Sequence, residues 1–204
     1  MSRVAASLAA LGLTVSLHGE PAAQTEPMAK KIARAAESGP AEREALARFK
    51  QEIAAYAELH AAEAARLGAK PETAAAQKAL AQSIAARRAD ARQGALLRPE
   101  AQGLFRRLIA DQLKGPEGLD ARKAVVDGNP RAQDEPSPFA PRVNAPYPTG
   151  APRSTVPPSV LVALPALPKC LEYRFVGRDL ILVDSVAQLI VDFLPAAAPE
   201  LPVK

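Results

Sequence analysis

Few side chains in this 204-residue sequence could carry chemistry, and they are scattered. The two histidines are His18 and His60, and the one cysteine is Cys170. A Cys–His couple can act as a nucleophile when the imidazole takes the thiol proton, so Cys170 and His60 would have to meet across the chain. The sequence nominates no third group to orient that imidazole. His60 falls on a helical seam, where a lone histidine is more often packed than catalytic. Cys170 follows Lys169, whose charge would lower a thiol pKa slightly. Its simpler role is a small hydrophobe at a core edge, or a thiol open to intermolecular pairing.

Asp179, Asp184 and Asp192 are the best carboxylate set. Asp179 falls in a hairpin turn and Asp184 at a strand end, where aspartate is favoured for its own backbone hydrogen bonds. Asp192 lies inside an apolar strand, and a buried acid there calls for a partner such as Arg174 or Arg178. A structural ion pair is preferred over a glycosidase-like acid pair. There is no Gly-x-Gly-x-x-Gly and no Walker lysine. Zinc fingers and four-thiolate clusters need more Cys and His than the chain has, and a disulfide framework needs a second Cys. The sequence therefore assigns no catalytic, cofactor-binding or metal-ligating residue, and it implies no cofactor.

The elements that must position these groups begin after an apolar opening. Met1-Ser2-Arg3 precedes an uninterrupted small or apolar run to Leu17, then His18, Glu20 and Pro21. This has the length and flanks of a secretory signal over residues 1–23, with cleavage expected between 16 and 24. It is short for a membrane-spanning helix, and no later stretch is long and apolar enough to span. The mature chain is expected to be periplasmic or secreted, without an integral span.

Residues 28–127 read as helical. Leu46, Phe49, Ile53 and Tyr56 follow a 3-4-3 seam that His60, Ala64 and Leu67 extend. Gly68 stops this helix and Pro71 starts the next, whose stripe is Ala76, Leu80 and Ile84; the two should form an antiparallel hairpin. Pro99 opens a third helix carrying Leu104, Phe105, Leu108, Ile109 and Leu113. Gly115-Pro116 ends it and allows a short fourth, finishing near Asp127-Gly128.

The net charge of +4 is uneven. Residues 28–123 hold 18 basic and 12 acidic side chains, and residues 124–204 hold 7 and 8. Arg87-Arg88-Ala89-Asp90-Ala91-Arg92 and Arg106-Arg107 could contact phosphate or anionic head groups. Without interleaved aromatics for base stacking, a solvated outer face is the better account, and no nucleic-acid partner is expected.

Prolines recur through residues 128–158, which excludes helix and central strand and reads as a Pro-rich linker, loose or laid down through Phe139, Val143 and Tyr147. Residues 159–196 form the β segment. A short helical piece at 160–164 precedes Leu171, Tyr173 and Phe175, which alternate with Glu172 and Arg174. Gly177-Arg178-Asp179 turns into Leu180-Ile181-Leu182-Val183, and Ser185 to Gln188 turns into Leu189-Ile190-Val191-Asp192-Phe193-Leu194. This is a three-stranded antiparallel meander, with 197–204 as a tail. Its second and third strands are apolar on both faces, and the 160–164 helix is the expected cover for the second face. The fold class is mostly α with a small β part.

Leu167-Pro168, Leu171-Glu172-Tyr173-Arg174-Phe175-Val176-Gly177-Arg178-Asp179-Leu180 and Leu189-Ile190-Val191-Asp192 resemble the small C-terminal β segment of exported bacterial proteins akin to the nickel/cobalt-homeostasis periplasmic family. The mature chain also resembles an uncharacterised group of secreted bacterial proteins. There, a helical region with a stretch like 79–94, then Phe105-Arg106-Arg107-Leu108-Ile109, precedes the same ending. The resemblance implies export and this ending, and transfers no catalytic residue. A metal role lacks the clustered His, Cys or Met that nickel or cobalt would need.

Together these features lead to an exported, non-catalytic interaction or scaffolding protein of the cell envelope, with a protein partner. The alternatives are a periplasmic stress- or metal-homeostasis-linked factor and a carboxylate-dependent hydrolase using Asp184 and Asp192.

Overall fold

The computed structural model describes residues 39–68, 73–114, 118–127, 139–148 and 156–200. The expected signal segment, Pro71, Gly115-Pro116 and most of the Pro-rich stretch lie outside the described residues. The chain is mostly α with a small β part: among the described residues, five helices precede one three-stranded sheet.

Helix α1 (Pro40–Leu67) starts with proline at its first position, where the missing N–H costs no intrahelical bond. Phe49, Ile53 and Tyr56 are buried along its seam, and so is Glu63. Helix α2 (Ala74–Arg87) is capped by the Thr73 hydroxyl, which accepts from Ala76 N at 3.2 Å. Leu80, Ala81 and Ile84 face inward, and α2 packs against α1 as the hairpin requires. Helix α3 (Pro99–Leu113) buries Leu104, Phe105, Ile109 and Leu113 and packs against α1, α4 (Gly118–Asp127) and α5 (Pro158–Ala163). Phe105 makes edge-on contact with Phe49, centroids 5.0 Å apart, and with Tyr173 at 6.3 Å, joining helices to sheet.

Strands β1 (Leu171–Val176), β2 (Asp179–Asp184) and β3 (Leu189–Leu194) form an antiparallel meander in the order β1-β2-β3. Gly177, at φ 59, takes the first central position of the two-residue β1–β2 turn, which a side chain would strain. Leu171, Tyr173, Phe175, Leu180, Leu182, Leu189, Val191 and Leu194 join the helical core.

The cover of the opposite face corrects an expectation. Val176, Ile181, Val183 and Ile190 pack under Tyr147, with Phe139 alongside. Helix α5 sits instead on the helical side, against α3. A six-residue helix places few side chains, and proline does not prevent 139–148 from lying extended along an edge. Tyr147 N donates to Gln188 O, Ile190 N to Ala145 O and Asn144 N to Ile190 O, so this stretch pairs with the outer edge of β3.

One register shift has consequences. Leu182 opposes Asp192 while Val183 opposes Ile190, leaving Val191 without an opposite residue. Such a bulge breaks the in–out alternation and turns Asp192 toward the core side with Val191.

Candidate functional site

The sequence-level candidates His60, Cys170 and Asp184 come together where the meander docks on α1. Tyr56 and His60 lie four residues apart and so project from one face of the helix. Asp184 ends β2, and its Oδ1 accepts from Val186 N (3.0 Å) and Ala187 N (2.8 Å), fixing the carboxylate in its own turn. Its Oδ2 is then aimed at α1, accepting from the Tyr56 hydroxyl at 2.7 Å and from His60 Nδ1 at 2.6 Å. The carboxylate is fully buried, and four donors stand in for its lost water.

This arrangement sets two proton positions. The Tyr56 phenol is pushed far above its usual range, first by burial and then by the Asp184 charge, so it is a fixed donor. Asp184 holds the His60 proton on Nδ1 and leaves Nε2 as the free nitrogen. Asp184 is thus the orienting group that the sequence could not nominate.

The nucleophile is less favourable. The Cys170 thiol is pushed up by burial and by Asp184, the reverse of the lowering expected from Lys169. Among the described residues, no hydrogen bond joins Cys170 to His60. The site is an oriented Asp–His pair near a thiol whose ionisation burial and the Asp184 charge disfavour. No group of three or more His, Cys, Asp or Glu side chains converges among the described residues in a way that could hold a metal ion.

Asp192 departs from expectation. Neither Arg174 nor Arg178 pairs with it. Its Oδ2 accepts from Leu96 N (2.7 Å) and Leu97 N (2.8 Å), and its Oδ1 from Gly94 N and its own Phe193 N (2.8 Å each). The connection after α2 wraps its backbone amides round the carboxylate. Gly94, at φ 85, permits the turn that points them inward. Asp184 engages α1 and Asp192 engages this connection, and the oxygens of each are filled by internal donors. Arg178 donates instead to Ala198 O and Glu200, and Asp179 accepts from Ala196 N.

Arg88 also corrects the solvated-face assignment. It is half-buried over the Tyr56 ring, 5.1 Å from the centroid, and it donates to Asn144 Oδ1 and to Val191 O at the bulge. Asn144 returns a bond from Nδ2 to Arg88 O at 2.6 Å. The other arginines are tethered as well: Arg87 to Glu63, Arg92 to Ala89 O and Ala91 O, Arg106 to Pro195 O and Arg107 to Glu42.

Sequence reasoning missed Glu63, Asn144 and the hydroxyl role of Tyr56. Continuing the seam as 49, 53, 56, 60, 63, 67 would have found Glu63 in place of Ala64. Glu63 accepts from Ser83, Arg66 and Arg87, which hold its pKa down to about 2.

Comparison of the chain with protein-family models, with curated proteins and with solved structures finds no match. Among the described residues, no helix is long and apolar enough to cross a membrane.

Proposed function

We propose that this chain is an exported, non-catalytic interaction protein of the cell envelope, in which a cross-braced scaffold presents apolar side chains to a protein partner. The observation that carries this reading is a contrast between interior and surface. The buried acids that could have done chemistry are filled by internal donors, four on Asp184 and four on Asp192. Meanwhile Leu119 on α4 and Leu161 and Val162 on α5 are 46–50 % exposed on two helices that touch. Large exposed apolar side chains on adjoining helices suit a protein contact. The apolar run at residues 4–17 and the C-terminal resemblance support export.

The test is affinity capture from envelope extracts with the tagged chain, beside a Leu119→Glu/Leu161→Glu variant that remains folded. A protein retained by the first and lost by the second is the expected result. Equal retention by both, or none by either, overturns the reading.

A further inference from the structure

We propose that residues 139–148 are a reversible strap, lifting off the meander as a unit while the helices and the three strands stay folded. Closed, it seals the outer edge of β3 and the apolar sheet face that turns away from the helices. This inference is independent of the envelope partner proposed above.

The first observation is how the apolar contacts divide. Phe175, Leu180, Leu182, Leu189 and Val191 belong to the core that the meander shares with the helices. Val176, Ile181, Val183 and Ile190 belong to a separate cluster, which the strap completes with Tyr147 and, partly buried, Phe139. Among the described residues, no helix contributes to that second cluster. Lifting the strap removes its outer wall and leaves the shared core packed.

The second observation is how lightly the strap is held. Of residues 139–148, Tyr147 alone is buried. Among the described residues, three backbone bonds join the strap to β3 and its turn: Asn144 N to Ile190 O, Ile190 N to Ala145 O and Tyr147 N to Gln188 O. Pro141, Pro146 and Pro148 have no N–H, so the strap cannot extend this pairing into a full strand. Strands β1 and β2, by contrast, pair along their whole length.

The third observation is that release strands no charge. Arg88 exchanges bonds with Asn144, and the Arg174 guanidinium lies 4.6 Å from the Tyr147 ring centroid. Each arginine has a second anchor that does not involve the strap. Arg88 donates to Val191 O and stacks over Tyr56, while Arg174 pairs with Glu172. A segment with one buried side chain and few backbone bonds opens at a lower cost than the core beneath it. Opening uncovers Ile181, Val183 and a pairing edge, which the closed strap keeps from other strands.

The experiment is native-state hydrogen exchange of the unmodified full chain at low urea. The Asn144, Tyr147 and Ile190 amides should exchange together, about tenfold or more faster than the Phe105 and Ile109 amides of α3. Their rates should depend weakly on urea, because lifting the strap exposes little surface. Thiol labelling gives a second readout specific to each sheet face. Val183→Cys lies under the strap, whereas Val191→Cys faces the shared core, and both positions are fully buried. Iodoacetamide should modify the first about tenfold or more faster than the second, with the labelled peptides separated from that of Cys170 by mass spectrometry. Strap amides that exchange at the α3 rate with the α3 urea dependence overturn the proposal. So do equal labelling rates at the two positions, since the strap would then leave only when the whole chain unfolds.

Discussion

The Tyr56 hydroxyl and Asp184 Oδ2 meet at 2.7 Å in the interior although 128 residues separate them in the chain. Together with the His60 bond to the same oxygen, this contact ties α1 to the turn that closes β2. The carboxylate was drawn into an apolar core, so its contribution depends on keeping every donor. Tyr56→Phe preserves the ring and the Arg88 stack while removing one donor. It should cost about 1.5–3 kcal/mol in urea unfolding. Asp184→Ala strands both Tyr56 and His60 as well as two backbone amides and should cost more. Equal stability of Tyr56→Phe and wild type would mean that the bond does not brace the fold.

Asp192 makes the second tie, and its donors are all backbone. Asp192→Ala would leave the amides of Gly94, Leu96 and Leu97 facing a void, two of them in a buried setting. We expect a loss on the order of 3 kcal/mol and a collapse of hydrogen-exchange protection at Leu96 and Leu97. Gly94→Ala tests the same connection from the other side. The space at Gly94 is ordinary, but its φ of 85 is not, so about 1 kcal/mol should go to backbone strain alone. Unchanged exchange at Leu96 and Leu97 in Asp192→Ala would sink this account.

These two acids show where the sequence was legible. Periodicity marked the helices and strands, because Phe49, Ile53 and Tyr56, or Tyr173 and Phe175, record which side of an element is dry. Asp192 was recognisably out of place in an apolar strand. Its partner was not, since backbone amides carry no side-chain signature and a bulge changes which face a residue takes. Arg174 and Arg178 were the visible cations, but neither is where the bulge aims the carboxylate. The same limit hid Asn144. Its φ of 63 is affordable for asparagine, and its value lies in a tertiary contact with Arg88.

Arg88 and Asn144 exchange two hydrogen bonds across 56 residues, linking the end of α2 to the stretch that covers β3. Mutations within one such network do not add. Arg88→Ala and Asn144→Ala should each destabilise the chain, and the double variant should lose less than their sum by about 0.5–3 kcal/mol. A coupling indistinguishable from zero would show that the contact carries no energy.

Glu63 gives the α1–α2 hairpin an acid limit. Its three donors lower the pKa from 4.5 to about 2 in the folded chain. The folded state therefore binds the proton less readily than the unfolded one. The resulting stabilisation is fully present above about pH 4.5, and it is lost progressively as the pH falls through 2. Glu63→Gln lacks this component. The stability difference between wild type and variant, followed by circular dichroism, should shrink steadily across that window. A difference constant from neutral pH to 2 would contradict the assignment.

Cys170 provides a chemical readout of the same docking. Burial first, and the Asp184 charge second, push its thiol above the ordinary value of 9.0. At pH 8 the folded chain should therefore hold less thiolate than a free cysteine and should react slowly with iodoacetamide. Unfolding in urea removes both causes and should speed the reaction. Asp184→Asn removes only the second, so its reaction should lie between the two if the variant stays folded, with the pH profile shifted downward. Were Lys169 the dominant neighbour, the folded chain would react faster than the unfolded one. That outcome would also return Cys170 and His60 to consideration as a catalytic couple, since an accessible thiolate is what the oriented imidazole beside it lacks.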